Sequence, residues 1–203
     1  MFKRPGMPGV HREMQPTSIA LIGAPFTGKT ELGVALSEAL PGSFNLPEYA
    51  RAYIETYGPP EHPAEQLYMV ERAADIERSV GHLYPYVIID SPVPVYAIYG
   101  AWFVELSGSD KKLDALRDAF NKAAVKYANS YDLVYFLPAS EIDYTLDDMD
   151  KVRALSPPER EEIGDRLREF CVSHVEEYRV LKGPVTDRVA QIQKDIAILK
   201  RGK

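Results

Sequence analysis

The residues with the clearest chemical capacity lie in one segment, Gly23 to Thr30, which fits the pattern G-x-x-x-x-G-K-[ST] at every fixed position. Its two glycines let the backbone turn so that consecutive amide groups point inward and can bind phosphate oxygens. Lys29 would reach the outer phosphates as a positive charge, and the Thr30 hydroxyl would ligate Mg²⁺. The pattern therefore predicts a site for ATP with Mg²⁺, formed by Gly23, Ala24, Pro25, Phe26, Thr27, Gly28, Lys29, Thr30 and Glu31.

Two carboxylates are expected near this segment. Asp90 ends the apolar run 86–89, which is typical of a buried strand, and Glu48 follows a shorter run at 44–46. Because ligands of parallel α/β sheets bind at the carboxyl ends of the strands, both side chains can face the triphosphate. Asp90 could hold Mg²⁺, directly or through water, or could only cap the next turn. Glu48 could take a proton from an acceptor hydroxyl, or could be a first-turn acid of the helix that follows.

Three arginines could bind phosphate groups. Arg51 follows Glu48 closely and could hold a phosphate of the acceptor or orient Glu48. Arg153 and Arg160 lie in the polar stretch 141–160, which we interpret as a lid that closes over the phosphates. Arginines in such a lid would neutralise charge that develops on the transferred group. The alternative for Arg153 and Arg160 is an ordinary solvated surface.

The apolar pattern around these residues alternates between strands and helices. A short apolar run at 18–23 predicts a buried strand, and apolar residues recur at helical spacing over 29–40. Further strands are expected at 44–46, 86–90, 133–137 and 178–181, and further helices at 64–82, 95–106, 110–129, 158–178 and from 185 onward. Such alternation predicts an α/β fold with a parallel sheet of about five strands covered by helices on both faces. The aromatic-rich stretch 96–103 could line an acceptor pocket, although a core position is favoured.

The composition limits the class of protein. The 203 residues, 45% hydrophobic and 27% charged, suit one globular domain. We interpret residues 1–16 as a flexible leader before a domain that spans 17–203. The formal net charge of −6 does not favour DNA as a partner. No apolar run is long enough for a membrane span, so a cytoplasmic location is expected, and the single cysteine, Cys171, is expected to face the core.

At these positions the chain resembles the P-loop nucleoside and nucleotide kinases and, within them, the AAA-like domain of ribosylnicotinamide kinases and of many phage-encoded proteins. The likeness is carried by Gly23 to Thr30, the segment 47–51, the strand ending in Asp90, the segment 131–137, the lid and the segment 183–188. The resemblance implies a three-layer P-loop NTPase sandwich with an arginine-bearing lid. It also places Gly183, Pro184 and Val185 beside the adenine of ATP.

Three functions agree with this pattern. We expect a kinase that transfers the γ-phosphoryl group of ATP to a nucleoside, a nucleotide or an acceptor like nicotinamide riboside. The resemblance also permits a phage-type kinase, acting in the host cytoplasm, that phosphorylates a hydroxymethylated pyrimidine in DNA. However, Asp90 is followed by serine and proline, without the arginine that many deoxynucleoside kinases carry there, which disfavours a simple deoxynucleoside acceptor. A P-loop ATPase driven by a protein partner is the alternative of another class.

Overall fold

The computed structural model describes residues 16–108, 110–139 and 155–201. Two predicted segments lie largely outside the described residues. They are the leader 1–16, of which only residue 16 is described, and the lid 141–160, of which residues 141–154 with Arg153 are not described. Within the described residues the chain forms five strands and seven helices. They are β1 Thr17–Ile22, α1 Lys29–Ala39, β2 Ser43–Leu46, α2 Tyr49–Tyr57, α3 Pro63–Val80, β3 Tyr86–Asp90, α4 Val93–Ser107, α5 Lys111–Tyr127, β4 Leu133–Phe136, α6 Pro157–His174, β5 Arg179–Val180 and α7 Val185–Arg201.

The strands form one parallel sheet in the order β2-β3-β1-β4-β5. Successive residues of the central strand β1 point to opposite faces. Ile19 and Leu21 pack with α1 and α7, whereas Ala20 and Ile22 pack with the layer of α3 to α6. These four side chains are at most 1% exposed. The predicted parallel sheet of about five strands between helical layers is confirmed, and β1 gives the segment 23–30 a rigid base.

Several element boundaries differ from those predicted. Helix α6 ends at His174, not at 178, because Val175 takes an extended backbone conformation. Helix α4 begins two residues earlier than predicted, at Val93. Pro94 is tolerated there because the N–H groups of the first helical turn have no acceptor within the helix. Cys171 is fully buried, as predicted, and burial raises the pKa of its thiol to about 12. In the part of the chain that the structure describes, every helix is too short or too polar to cross a membrane.

Helix α2 starts directly after Glu48. The sequence indicated this helix only through the alternative interpretation of Glu48 as a first-turn acid. Every residue of α2 is at least partly exposed. Tyr49, Tyr53 and Tyr57 share one face because they are four residues apart. The Tyr53 ring contacts the rings of Tyr57, at 5.1 Å between centroids, and Tyr68 of α3, at 6.3 Å. This tyrosine row attaches α2 to the body of the domain and positions Glu48.

Glu77 of α3 joins three elements beside the end of β3. Its carboxylate accepts hydrogen bonds from the Val93 amide at 2.9 Å and from the Tyr131 hydroxyl at 2.8 Å. Burial raises the pKa of Glu77 from its ordinary value of 4.5 to about 7, although the two hydrogen bonds oppose the rise. Glu77 therefore holds the start of α4, three residues after Asp90, through a group that titrates near neutral pH.

The free energy of unfolding is expected to fall, through Glu77, as the pH rises from about 4.5 to 7. The folded protein binds this proton more tightly than the unfolded chain, so the contribution is complete below pH 4.5 and lost above pH 7. The pKa shift corresponds to at most about 3 kcal/mol. Urea unfolding of the wild type and of Glu77→Gln between pH 4.5 and 8 measures it, because the variant cannot ionise. The variant should gain stability relative to the wild type as the pH rises.

The matched control is Glu71→Gln, which removes an exposed carboxylate from the same helix. Its stability difference from the wild type should stay nearly constant over the same pH range. A constant difference for Glu77→Gln as well would show that Glu77 titrates near its ordinary pKa.

Candidate active site

Residues 23–28 form a tight loop between β1 and α1, and the motif ends in the first two residues of α1, Lys29 and Thr30. The backbone is left-handed at Phe26, with φ 59°, and at Gly28, with φ 79°. A Cβ atom on Gly23 would lie only 2.7 Å from the Leu137 carbonyl oxygen, so the close approach requires glycine. The loop borders a cavity of about 220 Å³, named here the phosphate cavity. It is lined by Pro25, Phe26, Gly28, Lys29, Thr30, Glu31, Glu48 and Arg51.

The loop side of this cavity carries positive groups. Lys29 is 7% exposed, and its Nζ donates to the carbonyl oxygens of Gly23, at 2.9 Å, and Ala24, at 2.8 Å. The ammonium group is therefore held over the loop rather than extended into solvent. Lys29 is also the first residue of α1, whose N-terminus adds a partial positive charge at the same place. Both features favour binding of an anion such as a polyphosphate.

Thr30 and Asp90 meet at the edge of the phosphate cavity. The Thr30 hydroxyl donates to Asp90 Oδ2 at 2.6 Å. Asp90 ends β3 and is 3% exposed, and Ser91 after it has a strained backbone with φ 66°. Two hard oxygen atoms next to a phosphate site fit Mg²⁺, which takes few protein ligands and completes its octahedron with water and phosphate oxygens. The structure thus brings together the two side chains predicted to hold the metal.

A second cavity, of about 250 Å³, adjoins the phosphate cavity at Pro25 and Glu48. We name it the aromatic cavity, because Tyr96, Tyr99, Trp102 and Phe103 of α4 form part of its wall. Tyr96 and Trp102 are only 5% exposed, so the aromatic stretch is both core and pocket wall. The other wall residues come mainly from α2 and α3 and the chain between them; they are Ala50, Ile54, Pro59, Pro60, Gln66, Met69, Val95 and Leu155.

Glu48 lines both cavities. As the residue that precedes α2, its side chain makes no hydrogen bond that caps this helix. Its position is set by the next residue, because the Tyr49 amide donates to the Tyr96 hydroxyl at 2.8 Å. Arg51 lies in the first turn of α2, is exposed and lines the phosphate cavity. A carboxylate between an anion site and an apolar pocket is suitably placed to accept a proton from a molecule in that pocket.

Arg160, predicted to belong to the lid, lies in the first turn of α6 with 9% of its surface exposed. Ser156 and Glu159 form a capping box that starts this helix and so sets the position of Arg160. Its Nε donates to the Pro25 carbonyl at 2.9 Å, and its Nη2 donates to the Phe26 carbonyl at 3.3 Å. Arg160 therefore contacts the phosphate loop through the backbone of that loop.

Arg188 of α7 contacts the loop from another side, and the sequence did not mark it as a site residue. It is 4% exposed, and its Nη1 donates to the Thr27 carbonyl at 3.2 Å. Its Nε donates to the Gly183 carbonyl at 2.8 Å. The segment Gly183, Pro184 and Val185, which the resemblance places beside adenine, is thus connected to the phosphate loop through one guanidinium group. The only sequence signal for Arg188 was that it lies in the segment 183–188, which carries part of the resemblance.

The two arginines act on the orientation of the loop amides. The C=O and N–H groups of one peptide point in opposite directions, so a carbonyl held from outside turns the next amide toward the cavity. Arg160 and Arg188 hold three consecutive carbonyl groups in this way. They also place two positive charges close behind the phosphate cavity.

Arg188→Gln is expected to weaken ATP binding by about 10- to 100-fold, because it removes one charge-assisted hydrogen bond to the loop, at Thr27, and one to Gly183. Arg188→Lys should recover only part of the loss, since a lysine cannot bridge two carbonyls with a planar fork. Titration calorimetry with ATP measures the affinity, and thermal unfolding measures stability separately. Arg201→Gln, at an exposed position of α7, is the control. A lower melting temperature with unchanged ATP affinity would mean that Arg188 only stabilises the fold.

Comparisons with known proteins agree with this fold. The AAA_28 family model, described as an AAA domain, matches residues 18–188. Among solved structures, NadR in complex with NR has a TM-score of 0.64 at 20% identity, over 83% of this chain and 46% of NadR. This chain therefore spans about half the length of NadR. Among curated proteins, no significant sequence match is found.

Two further solved structures match over almost their whole length. Deoxyadenosine kinase from M. mycoides with bound dATP has a TM-score of 0.64 at 18% identity, over 89% of this chain and 100% of that kinase. Thymidylate kinase from Candida albicans has a TM-score of 0.63 at 14% identity, over 93% of this chain and 94% of that kinase. At these identities the likeness shows the fold alone. The family match shows that the chain belongs to the AAA_28 family of AAA domains, and the solved structures show that it shares the fold of these proteins.

Proposed function

We propose that the protein is an ATP-dependent kinase that transfers the γ-phosphoryl group to a nucleoside, a nucleotide or an acceptor like nicotinamide riboside. The observation that carries the proposal is the position of Glu48, between a phosphate cavity and an aromatic cavity. A P-loop that only hydrolysed ATP would need no apolar pocket of this kind beside the triphosphate. The NadR, deoxyadenosine kinase and thymidylate kinase structures support the same class of reaction.

In this proposal the donor is held by the loop 23–30. The loop amides and Lys29 bind the β- and γ-phosphates, and the N-terminus of α1 adds its dipole. Thr30 and Asp90 would hold Mg²⁺, which when bound neutralises phosphate charge. Gly183, Pro184 and Val185 would lie beside the adenine. Preorganised positive groups of this kind stabilise charge that develops during transfer.

The acceptor would occupy the aromatic cavity with a hydroxyl directed to Glu48. Glu48 takes the hydroxyl proton as the acceptor oxygen bonds to the γ-phosphorus. The bond between that phosphorus and the β–γ bridging oxygen breaks, and its electrons leave with ADP. Arg51, at the phosphate cavity, would orient Glu48 or bind a phosphate oxygen. Arg153 and the lid remain predictions for charge neutralisation.

The test is transfer of radiolabelled γ-phosphate from ATP with Mg²⁺ to a panel of acceptors. The panel contains nucleosides, nucleoside monophosphates, nicotinamide riboside and DNA with hydroxymethyluracil. Label on any small acceptor would support a metabolite kinase. Label on DNA alone would favour the DNA kinase. Phosphate released only to water, without stimulation by any acceptor, would contradict the proposal and favour an ATPase that acts with a partner protein.

A further inference from the structure

We infer that Glu162 of α6 is a positioning residue that holds Trp102 in the wall of the aromatic cavity and links the orientation of Trp102 to occupancy of the phosphate cavity. The link runs through a single turn of α6, because Arg160, two residues before Glu162, holds the phosphate loop. The inference rests on the proposed function only in taking the phosphate cavity as the site of the triphosphate. It goes beyond that function because it assigns a route between the two cavities.

The orientation of Trp102 depends on Glu162. Trp102 is 5% exposed, and its indole N–H donates to Glu162 Oε1 at 3.1 Å. The two residues lie on different helices, α4 and α6, so the hydrogen bond exists only while these helices keep their relative position. A buried indole N–H needs an acceptor, because an unsatisfied donor in an apolar environment is destabilising. A shift of Glu162 therefore either moves Trp102 or breaks this hydrogen bond.

Glu162 is held in turn by Arg166, one turn further along α6. Arg166 donates to the same Oε1 atom, from Nε at 3.1 Å and from Nη2 at 2.9 Å. Its Nη2 also donates to Oε2 of Glu105 on α4, at 2.7 Å. Helices α4 and α6 are thus joined at two points, Trp102 and Glu105. These ion pairs are partly exposed, so they add little to stability, and their effect is to fix the position of the Glu162 carboxylate.

Helix α6 also contacts the phosphate loop directly. Arg160 Nε donates to the Pro25 carbonyl at 2.9 Å. Gly164 packs on the loop as well, since a Cβ atom at this position would lie 3.6 Å from the Cβ of Ala24. Arg160 and Gly164 share one face of the helix because they are four residues apart, and Glu162 lies midway between them in sequence. The loop and Trp102 therefore contact the same turn of α6.

Binding of a triphosphate acts on this turn through the loop peptides. The carbonyl of Pro25 and the amide of Phe26 belong to one planar peptide unit. When that amide binds a phosphate oxygen, the carbonyl turns with it and moves the Arg160 guanidinium to which it is bonded. The movement reaches Glu162 within the same helical turn, and it reaches Trp102 through the indole N–H. Coupling between two binding sites is reciprocal, so a molecule that packs against Trp102 also changes the affinity for ATP.

The fluorescence of Trp102 reports this movement, because Trp102 is the single tryptophan of the chain. Addition of ATP with Mg²⁺ to the wild type should change its emission, with the same dissociation constant that calorimetry gives. Glu162→Ala should bind ATP but lose most of the emission change, because the indole N–H no longer has its acceptor on α6. Glu162→Gln keeps an oxygen atom at that position and should retain the change. Glu161→Ala, at the preceding exposed position of α6, is the control and should behave as the wild type.

Two results would overturn the inference while ATP still binds. One is a wild-type emission that saturating ATP does not alter, and the other is an emission change of equal size in Glu162→Ala. Calorimetry that detects no ATP binding would instead contradict the proposed function, and the inference with it.

A second experiment breaks the connection at the loop end. Arg160→Gln leaves the hydrogen bond between Glu162 and Trp102 in place, so the emission without ATP should match that of the wild type. The change at saturating ATP should be largely lost, because the loop no longer acts on α6 through this guanidinium. Thermal unfolding checks that the variant is folded, and Arg160→Lys takes its place if it does not fold or does not bind ATP. A full emission change in the folded, saturated variant would overturn the inference.

Discussion

Lys29→Ala is expected to lower the rate of phosphoryl transfer by at least about 1000-fold while the protein stays folded. The lysine supplies the positive charge that lies over the phosphate loop, held at 2.8 to 2.9 Å from two loop carbonyls. Its loss removes attraction for the outer phosphates and leaves charge on the transferred group less neutralised. The substitution also removes two hydrogen bonds to carbonyls of buried residues, so the free energy of unfolding should fall by about 1 to 3 kcal/mol.

The measurement is single-turnover transfer of labelled phosphate with saturating ATP, together with thermal unfolding. Lys112→Ala removes the same charge from an exposed position on α5, away from the loop, and should transfer phosphate at the wild-type rate. Unchanged turnover in Lys29→Ala would refute the candidate site. A variant that fails to fold would be replaced by Lys29→Met, which keeps the apolar part of the side chain.

Glu48→Gln is expected to lower kcat by about 100- to 10,000-fold, with the affinity for ATP changed by less than about 2-fold. Glutamine keeps the size of the side chain and its hydrogen-bonding capacity, but it cannot accept the acceptor proton. Because the side chain makes no capping hydrogen bond to α2, the substitution should not disturb that helix. The pocket shape is therefore retained while the proposed base is removed.

Steady-state kinetics with the acceptor found in the label assay, and calorimetry with ATP, separate these quantities. Glu55→Gln, on the exposed side of α2, is the matched control and should show wild-type kinetics. Equal losses of turnover and ATP affinity in Glu48→Gln would indicate that Glu48 organises the site and does not take the proton.

Much of the phosphate loop and its sheet could be predicted from the sequence because their determinants are local. The pattern of Gly23, Gly28, Lys29 and Thr30 is contained in eight consecutive residues, and the strand and helix around it show their own periodicity. The parallel sheet follows from the alternation of buried strands with amphipathic helices. The sequence also placed Asp90 at the same sheet edge as the loop, whereas its contact with Thr30 depends on β3 being the parallel neighbour of β1, which the structure shows.

The aromatic cavity was less predictable, because an apolar side chain in the core and one in the wall of a pocket have the same pattern in the sequence. Helix α4 is apolar over most of its surface, which predicts burial but not which aromatic rings border a cavity. Only the packing of α4 against α2 and α3 leaves space beside Tyr99 and Trp102. The two cavities that share Glu48 likewise exist only in the folded chain.

The sequence by itself determined the loop between β1 and α1, with its lysine and threonine, and the type of sheet that supports it, since those depend on short-range geometry. The tertiary structure alone decided how the phosphate loop is held. Arg160 and Arg188 contact loop carbonyls that lie 135 and 161 residues earlier in the chain. A buried arginine on an amphipathic helix has the same sequence signature as an exposed one, because its burial depends on which distant backbone oxygens the fold brings to it.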